Sequence, residues 1–465
     1  MKTTRKWQLP HIYIILLSMV AFFTLLSYIV PAGQFERVEG PTGAQIIKPG
    51  SFTFTEQSPV TFMEFMLAIP SGLVQSATII FGGLMLGGMF SVFSRTGIID
   101  LGVHKLSLAF AKRGIWIIPV LMTVFAVFTT FSGAIELTLI YLPIILPLIL
   151  KLGFDRITAA AVALCSTVAG FAVALSAPAT TGLAQKLSDL PLYSGIGYRA
   201  IIFVFFLAVG IWYVMRYAKR VRNNPETGIL YDEREVDVDF QSSVTVVSKA
   251  TPRQVVAVIA MLIGFIIMFY GMIEKGWYFL ELAGLYMMMG CVVGLIAGLK
   301  PVEICEAFSQ GFKDILVGVL IIGIARGVAV VLNEGNILDT IVYSISELIS
   351  GLPSSFTAVA MLIVQAVLNF LIPSGSGQAM ITMPIMTGLS DLAGVTRQTA
   401  VLAFQLGDGF SNIFYPTSGY FIATIALAKI SWEKWVRFVV PLLLIWYSMA
   451  AVFLIIAQWM KWGPF

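Results

Sequence analysis

Long apolar runs alternate with short polar segments along the whole chain, and this pattern predicts an all-α polytopic membrane protein. A helix of about 20 apolar residues is long enough to cross the hydrocarbon core of a bilayer. About nine full transmembrane helices are expected on this basis. They are residues 12–30, 73–93, 157–182, 199–217, 253–272, 279–298, 313–332, 397–427 and 435–457.

Two further apolar stretches, residues 115–150 and 354–390, are each interrupted by a Ser-Gly pair. We expect each stretch to form a re-entrant hairpin with that pair at its tip. Arms of this length could also cross the bilayer as two full spans. The orientation of the remaining spans is the same in both cases, because either arrangement returns the chain to the side from which it entered.

Two of the expected spans contain helix breakers beside hydroxyl residues. The span 157–182 reads S-A-P-A-T-T-G near its end, and 397–427 contains F-Y-P-T-S-G. A broken helix frees backbone groups that lipid cannot satisfy, so it survives only when buried in protein or lining a polar cavity. Broken helices are also the usual material of transporter binding sites.

The two halves of the chain repeat the same order of signals. T-G-I-I-D-L-G resembles G-N-I-L-D-T-I, and each is followed by a Ser-Gly tip, a proline, an arginine and a broken span. The first unit begins with a span that runs inward and the second with a span that runs outward, so the predicted repeats are inverted. The matched residues are Asp100, Ser132, Pro143, Arg156 and Pro178, then Asp339, Ser374, Pro384, Arg397 and Pro416.

The repeats divide the chain into four predicted parts. Residues 1–60 carry the first transmembrane helix and an outer loop, in which 34–58 is expected to hold a short strand pair. Residues 61–217 form the first inverted repeat. Residues 218–300 hold a solvated cytoplasmic linker, rich in charge, and two connecting spans. Residues 301–465 form the second inverted repeat.

Composition agrees with a membrane protein. Charged residues make up 12% of the chain and its mean hydropathy is +0.90, whereas soluble domains carry about 25% charged residues. Lys and Arg concentrate in loops on one side, which places the N-terminus in the cytoplasm and the C-terminus outside a bacterial inner membrane, with Arg397 as the clearest exception. A basic N-terminus also suits a cleaved signal peptide, but the many later spans favour a retained first helix.

Metal, disulfide and nucleic-acid chemistry find no support in the sequence. The three cysteines, Cys165, Cys291 and Cys305, have neither metal-site nor disulfide spacing. His11 and His104 lie at span ends. The net charge of +4 reflects loop bias rather than a basic binding surface. No cofactor is therefore expected, apart from a coupling ion.

The candidate substrate site consists of the two hairpin tips, the two breaks and the polar residues on the adjoining helix faces. Gln365 and Asn369 lie four apart and share one face of a helix. Glu136 and Gln378 occupy equivalent places, four residues past the serine of each tip. The predicted substrate-binding residues are Ser132, Gly133, Glu136, Thr180, Thr181, Asn369, Ser374, Gly375, Ser376, Gln378, Asp408, Asn412, Thr417 and Ser418.

Three ionisable residues fall at membrane depth, where such groups are candidates for function. Glu136 and Asp408 are expected to meet near the midplane. Arg326 has three open roles, which are pairing with a carboxylate, binding a substrate carboxylate, and extending to the membrane surface. The L-G-D-G around Asp408 also suggests an intramembrane aspartyl protease, but that chemistry needs two close carboxylates on facing helices. No other predicted span has an Asp at mid-depth, and Glu136 does not fit the protease pattern. We therefore expect no enzyme.

The first span ends in Y-I-V-P-A-G-Q-F. Through this motif, the Ser-Gly tips and the P-T-S-G break, the chain resembles the YfcC-type transporters of the DcuC family, the C4-dicarboxylate anaerobic carriers. That family is similar to the wider ion transporter superfamily, which includes divalent anion/sodium symporters. The resemblance implies a homodimer whose transport domain moves against a scaffold in an elevator motion. It implies ligand contacts at Ser132, Gly133, Thr180, Thr181, Ser374, Gly375, Thr417 and Ser418.

The symporters of that superfamily carry S-N-T at their tips, whereas this chain has S-G-A and S-G-S. The coupling ion is therefore left open between Na⁺ and H⁺. A Na⁺ ion is a hard cation that takes oxygen ligands. It is expected near Ser132, Thr180, Ser374 and Thr417.

The expected function is secondary active transport of a small charged metabolite. Two acidic residues near the site favour an amino acid with a cationic group, and the resemblance extends to members assigned to arginine/ornithine exchange. The alternative substrate is a C4-dicarboxylate, which hydroxyls and helix N-termini would bind. A passive channel is a further alternative, and it would conduct without exchange or an ion gradient.

Overall fold

The computed structural model describes residues 12–39, 45–99, 101, 114–233, 235–236, 250–275, 277, 279–349 and 351–463. Asp100 of the predicted repeat and both histidines lie outside these ranges. Most described residues are helical. The helices are α1 (Ile12–Leu26), α2 (Phe62–Gln75), α3 (Ala77–Arg95), α4 (Ile117–Ser132), α5 (Thr138–Lys151), α6 (Arg156–Val173), α7 (Leu183–Leu187), α8 (Ile196–Asn223), α9 (Pro252–Glu274), α10 (Phe279–Ala297), α11 (Pro301–Glu334), α12 (Leu338–Ile349), α13 (Ser354–Leu371), α14 (Gly375–Ala393), α15 (Arg397–Ser411), α16 (Gly419–Leu427) and α17 (Trp432–Trp459).

Among the described residues, seven helical stretches are long and apolar enough to cross a membrane, and α11 counts as an eighth if its two bent halves form one span. Several predicted boundaries differ from the structure, and the largest difference is at α11, which begins at Pro301 rather than at residue 313. The span expected at 73–93 is two helices, because α2 ends at Gln75 and α3 begins at Ala77. A capping box starts α2: Thr61 accepts from the Glu64 N–H, and Glu64 accepts from the Thr61 N–H at 2.7 Å.

The predicted outer segment contains two strand pairs rather than one. Strand β1 (Gly33–Gln34) pairs antiparallel with β4 (Thr53–Phe54), and β2 (Arg37–Glu39) pairs with β3 (Gln45–Ile47). Asp339 in α12 holds them, since its carboxylate accepts from the Phe35 N–H and from the Arg37 guanidinium, each at 3.1 Å. Strand β3 also packs on α14.

Apart from α12, which packs on α13 and α14, the helices pack as two groups. We call α1, α2, α3, α9, α10 and α11 the scaffold group, because α11 packs along α2 and α3, and α10 packs along α3 and α9. Small residues bring α2 and α11 together. A Cβ on Gly72 would strike the backbone of Gly323 and Gly327, and such close approach is common between membrane helices.

We call α4–α8 and α13–α17 the site group. Helices α4 and α5 both pack on α6, and α13 and α14 both pack on α15. Every residue of α6 is buried, and so are all of α15 except Arg397. Helices α6 and α15 contact each other, and a Cβ on Gly409 would collide with Ala172. The centre of the site group is therefore this pair of helices, each flanked by two helical arms.

Both predicted helix breaks are present. Helix α6 ends at Val173, and Ala174 takes a left-handed φ of 44°. A wide helical turn at Pro178–Gly182 then leads into α7. Helix α15 ends at Ser411, and α16 begins at Gly419. Each break divides its helix into two segments and leaves segment ends facing the interior.

The expectation of a solvated linker over 218–252 is wrong for its first part. Helix α8 continues to Asn223, and residues as far as Glu233 fold back onto the protein. Glu233 accepts from the Lys434 ammonium at 2.8 Å. Lys434 also donates to Asp232 at 2.7 Å, and this bond lowers the pKa of that carboxyl below its ordinary value. Residues 237–249 lie outside the described ranges.

Candidate functional site

Asp408 lies near the C-terminal end of α15 and is fully buried. Its Oδ1 accepts from the Asn369 side-chain amide at 2.6 Å and more weakly from that of Asn412 at 3.4 Å. Both amides also donate to the Asp408 backbone carbonyl at 2.7 Å. Two predicted site residues therefore orient the carboxylate of a third.

The tip of the second hairpin and the first break meet at this carboxylate. A Cβ added to Gly375 would lie 2.9 Å from Asp408 Oδ2 and 2.8 Å from the Thr180 methyl. Only glycine fits there without displacing a neighbour. The structure thus brings Gly375, Thr180, Asp408 and Asn369 together, four predicted residues from three separate stretches of sequence.

Several oxygen atoms at this meeting point have no hydrogen-bond partner among the described residues. They are Thr180 Oγ1, Asn369 Oδ1 and Asp408 Oδ2, and Thr417 Oγ1 of the second break is also unpartnered. Buried polar groups are nearly always paired, so each such atom calls for an explanation. A group of free oxygens around one carboxylate is suited to a cation, which accepts lone pairs from several oxygens at once.

A glutamine bridges the first break to α15. The Thr181 hydroxyl donates to the Gln405 side-chain carbonyl at 3.1 Å, and lies 3.2 Å from the Ala174 carbonyl. The Gln405 amide donates to the Phe171 carbonyl at 2.7 Å. Thr181 is thus placed as predicted, although its hydroxyl is already committed to protein partners.

The first hairpin tip also lies against the first break. Gly133 has a φ of 70°, which favours glycine, and a Cβ there would lie 2.6 Å from that of Ala177. The Ser132 hydroxyl accepts from the Ala134 N–H at 3.2 Å. The Thr130 hydroxyl accepts from the Leu175 N–H at 3.2 Å. Ser132 and Gly133 therefore shape the tip.

Glu136 stands just past this tip and is half-buried. It interacts electrostatically with the buried Tyr420 phenol, and so does Asp408. The two predicted carboxylates therefore act on one common group, and no direct bond joins them.

In the second hairpin the predicted residues divide between the tip and a glutamine cluster. The Ser374 hydroxyl caps α14 by accepting from the Gly377 N–H at 3.3 Å, and Ser376 is half-buried. Gln378 is fully buried and donates to the Gln365 side chain at 2.7 Å. The Gln365 amide donates to Thr382 at 3.0 Å. Gln378 thus serves a buried network that braces the two arms.

The second break carries Thr417 and Ser418, both buried. The Ser418 hydroxyl donates to the Asn412 side-chain oxygen at 3.4 Å. Beyond the break, Thr424 of α16 lies 2.9 Å, hydroxyl to hydroxyl, from Thr138 of α5. Helix α16, which follows the second break, therefore contacts the second arm of the first hairpin.

Arg326 is not part of this constellation. It lies in α11 of the scaffold group and donates through Nε to the Gln75 side chain at 3.3 Å. No carboxylate among the described residues forms an ion pair with it. Of the three roles left open by the sequence, pairing with a carboxylate is not the one seen here.

Two other arginines tie the broken helices together in a crossed arrangement. Arg156 is the first residue of α6 and is fully buried. It donates to the carbonyls of Ala428 and Lys429, which follow the end of α16. Arg397 is the first residue of α15, and it donates to the Ser188 carbonyl, just past α7, at 3.1 Å. Each arginine thus caps the final segment of the other broken helix.

The sequence of the chain matches one carrier family along almost its entire length. The matching family is DcuC, the C4-dicarboxylate anaerobic carriers, over residues 9–459.

The chain belongs to the DcuC family.

Among its relatives is a protein of Escherichia coli described as the putative basic amino acid antiporter YfcC. The two are 32% identical across 99% of this chain and 98% of the relative. An uncharacterized protein of Haemophilus influenzae is 29% identical across 87% of this chain and 80% of that relative. These matches place the DcuC chain among membrane transporters rather than enzymes.

Two solved structures are similar to this DcuC member at lower identity. The YdaH transporter of Alcanivorax borkumensis is 14% identical with a TM-score of 0.43, covering 98% of this chain and 100% of that one. MtrF of Neisseria gonorrhoeae, described as illuminating a class of antimetabolite efflux pumps, is 15% identical with a TM-score of 0.42, covering 97% and 96%.

Sequence reasoning missed three residues of this DcuC site. Gln405 bridges the first break to α15, and it lies three positions before Asp408, on the same face of the helix. Tyr420 directly follows the P-T-S-G motif of the second break, and this position beside the break could have identified it from the sequence. Thr130 precedes the first tip by two residues, but its bond to the Leu175 N–H is visible only in three dimensions.

Proposed function

We propose that the chain is a secondary active transporter for a small charged metabolite, and that its substrate is an amino acid with a cationic group such as arginine or ornithine. The observation that carries this proposal is the buried Asp408 carboxylate, which keeps one oxygen free beside the free oxygens of Thr180 and Asn369. A buried anion with open lone pairs attracts a cation, because an uncompensated buried charge is costly.

The cation at this site is either the cationic end of the substrate or a coupling ion. For Na⁺ or H⁺ the free oxygens of Asp408, Thr180 and Thr417 supply ligands or proton acceptors. The name of the Escherichia coli relative, a putative basic amino acid antiporter, supports a basic amino acid as substrate. In an antiporter of that kind, one cationic amino acid is carried inward and another outward, and each binds the same carboxylate in turn.

The proposed movement is an elevator motion of the site group against the scaffold group. The packing supports it, because the site residues lie in the two breaks, in α15 and in the flanking arms, whereas α1 packs on α11 and α10 packs on α3 and α9. Helix α16 meets α11 between the groups, where a Cβ on Gly419 would contact Ile322. We further propose inverted repeats, a homodimer and an inner-membrane location with the N-terminus inside.

A C4-dicarboxylate is the second candidate substrate. The family description favours it, as do the backbone groups freed at the breaks and the hydroxyls of Ser374 and Ser376. Such a substrate is itself negatively charged, however, and the charge at the meeting point, that of Asp408, is also negative. This ranks the dicarboxylate second.

Counterflow in proteoliposomes tests the choice. Purified protein is reconstituted with unlabelled arginine, ornithine, other amino acids, succinate or fumarate inside, and labelled substrate is added outside. We expect arginine and ornithine to drive accumulation of labelled arginine, and Asp408→Asn to abolish it. Accumulation driven by succinate or fumarate alone would establish the dicarboxylate instead. Conduction down a gradient without counterflow would indicate a channel.

A further inference from the structure

Arg199, the fourth residue of α8, is a buried arginine that the described site does not use. Its side chain has no exposed surface. Nη1 donates to the Val173 carbonyl at 2.8 Å, and the guanidinium carbon lies 5.8 Å from the centre of the Trp462 ring. Nε and Nη2 have no hydrogen-bond partner among the described residues. Nor does Arg199 form an ion pair with any of them.

The two unpartnered nitrogens, Nε and Nη2, indicate which kind of ligand Arg199 could bind. The N–H bonds of Nε and Nη2 point the same way along one edge of the guanidinium, and this edge matches the two oxygens of a carboxylate. A single bond from Nη1 suffices to cap the end of α6, which leaves the two-pronged edge in reserve. An arginine kept only as a cap has no need of that edge, and leaving it unpaired in a buried place is costly.

The position of Arg199 connects it to the candidate site. Val173 is the last residue of α6, and the first break follows it directly. Its neighbour Ala172 touches Gly409, which is next to Asp408. Within the break Ser176 is half-buried, and Pro178 and Ala179 are exposed at the surface of the single chain. An anion-binding group and a cation-binding group thus lie on either side of one helix end.

We propose that Arg199 binds the carboxylate of the transported substrate through Nε and Nη2, while Asp408 and its neighbours hold the cationic end. This rests on the proposed function for the identity of the cationic end. A carboxylate here replaces the missing partners of the guanidinium and neutralises its charge. The substrate class is then a zwitterionic basic amino acid, and the corresponding amine without a carboxylate binds poorly.

Binding is measured by isothermal calorimetry on purified full-length protein, with arginine and its decarboxylated analogue agmatine as probes. We expect wild type to prefer arginine. In Arg199→Lys the ammonium still reaches the Val173 carbonyl but lacks the two-pronged edge, so arginine affinity falls about tenfold or more while agmatine affinity is unchanged. The matched control is Arg216→Lys on the same helix, where Arg216 is exposed and lies 5.5 Å from the Trp212 ring. It should bind both probes like wild type.

The outcomes separate this proposal from the proposed function. If Arg199→Lys keeps the wild-type preference for arginine, Arg199 is only a helix cap. If wild type binds agmatine as tightly as arginine, the proposal fails without any variant. Arg199→Gln serves as a second variant should the lysine variant not fold.

If wild type binds neither arginine nor agmatine, succinate and fumarate are tested in the same way. A dicarboxylate whose affinity falls in Arg199→Lys but not in Arg216→Lys supports the carboxylate subsite and overturns the basic amino acid. A wild type that binds no carboxylate probe overturns the subsite.

Discussion

At the scale of single residues, the burial of the Asp408 carboxylate opposes the stability of the fold. A carboxylate buried without full compensation costs several kcal/mol, and Asp408 retains one oxygen without a partner among the described residues. An asparagine would satisfy the same neighbours more cheaply. The carboxylate is therefore best explained by a ligand that arrives and leaves.

Removing either carboxylate should abolish coupled uptake. Asp408→Asn and Glu136→Gln keep size and hydrogen-bonding capacity but remove a negative charge near Tyr420 and the breaks. The measurement is labelled-substrate uptake in proteoliposomes at matched protein content. Glu303→Gln is the control, because Glu303 lies at the start of α11, far along the chain from the breaks, and its side chain accepts from the Lys300 N–H at 2.7 Å.

A proton competes with a cation for the same carboxylate, so the apparent KM of the wild type should rise as the pH falls. Wild-type uptake by both variants would contradict the acidic site. Substrate binding would then be assigned to the hydroxyls and glycines of the tips and breaks.

Arg326 gives a second residue-scale test. Because it bonds to Gln75 rather than to a site residue, we expect Arg326→Gln to lower expression and melting temperature while the affinity of the recovered protein stays near that of wild type. Calorimetric binding and thermal unfolding are measured together. A large loss of affinity in the folded Arg326→Lys variant would instead show that its planar donor binds a substrate carboxylate.

The site was only partly predictable from sequence at this scale. Glycines, hydroxyl residues and a single aspartate within apolar runs can be recognised in the sequence. The structure places Gly375, Thr180 and Asp408 in contact, as predicted. The role of Gln378 was not predictable, because its partner Gln365 lies across a hairpin. Arg199 looked like an ordinary charge at the start of a span. Its significance comes from burial and missing partners, which no spacing rule conveys.

At the scale of elements, the crossed arginine caps fix how the two broken helices lie beside each other. The carbonyls after a helix end lack intrahelical partners, and a cation there also opposes the helix dipole. The guanidinium of Arg156 is fully buried and meets the Glu233 carboxylate as well. Arg397 is more exposed and shares its charge with Asp189 and Asp391.

The buried Arg156 cap should therefore contribute measurably to stability. Arg156→Gln removes a buried charge and leaves carbonyls unsatisfied, so we expect a loss of about 2 kcal/mol or more in the free energy of unfolding. Arg95→Gln is the control, because its ion pair with Glu306 is exposed and such pairs contribute about 0–1 kcal/mol. Chemical unfolding in detergent measures both. Equal stability of the two variants would contradict a structural role for the buried cap.

Sequence patterns predicted most elements, including α8, α9, α10 and α17 and both breaks, because apolar length and Pro-Gly punctuation are local signals. The split between α2 and α3 at Ser76 was missed, because the short polar pair Gln75-Ser76 contains no proline or glycine. The docking of Glu233 was missed for another reason. A charge run is usually solvated, and only the tertiary position of Lys434 and Arg156 shows otherwise.

At the scale of the whole molecule, the orientation in the membrane remains a prediction from loop charge. A single cysteine in a cysteine-free background should be labelled by an impermeant maleimide only from inside at Thr227 and only from outside at Glu56. Both residues are exposed. Gly43, also expected outside, lies beyond the described residues. The opposite labelling pattern would reverse the assignment of inner and outer hairpins.

The scaffold group is where we expect two protomers to meet. Ile259, Ile263 and Ile266 lie on one face of α9 and are exposed in the single chain. In a two-fold dimer a residue near the axis meets its own copy, so cysteines at these positions should cross-link between protomers. Val204→Cys on α8 of the site group is the control and should not. A strict monomer in detergent and in lipid would rule the dimer out.

The crossed caps also bear on how such a chain could arise and be divided. Because each half contributes the arginine that caps a helix segment of the other, neither half is complete alone. A chain cut between residues 236 and 250 should thus yield two fragments that recognise each other when produced together. Two copies of a shorter ancestral chain could have met in the same way, before any covalent connection made the partnership permanent.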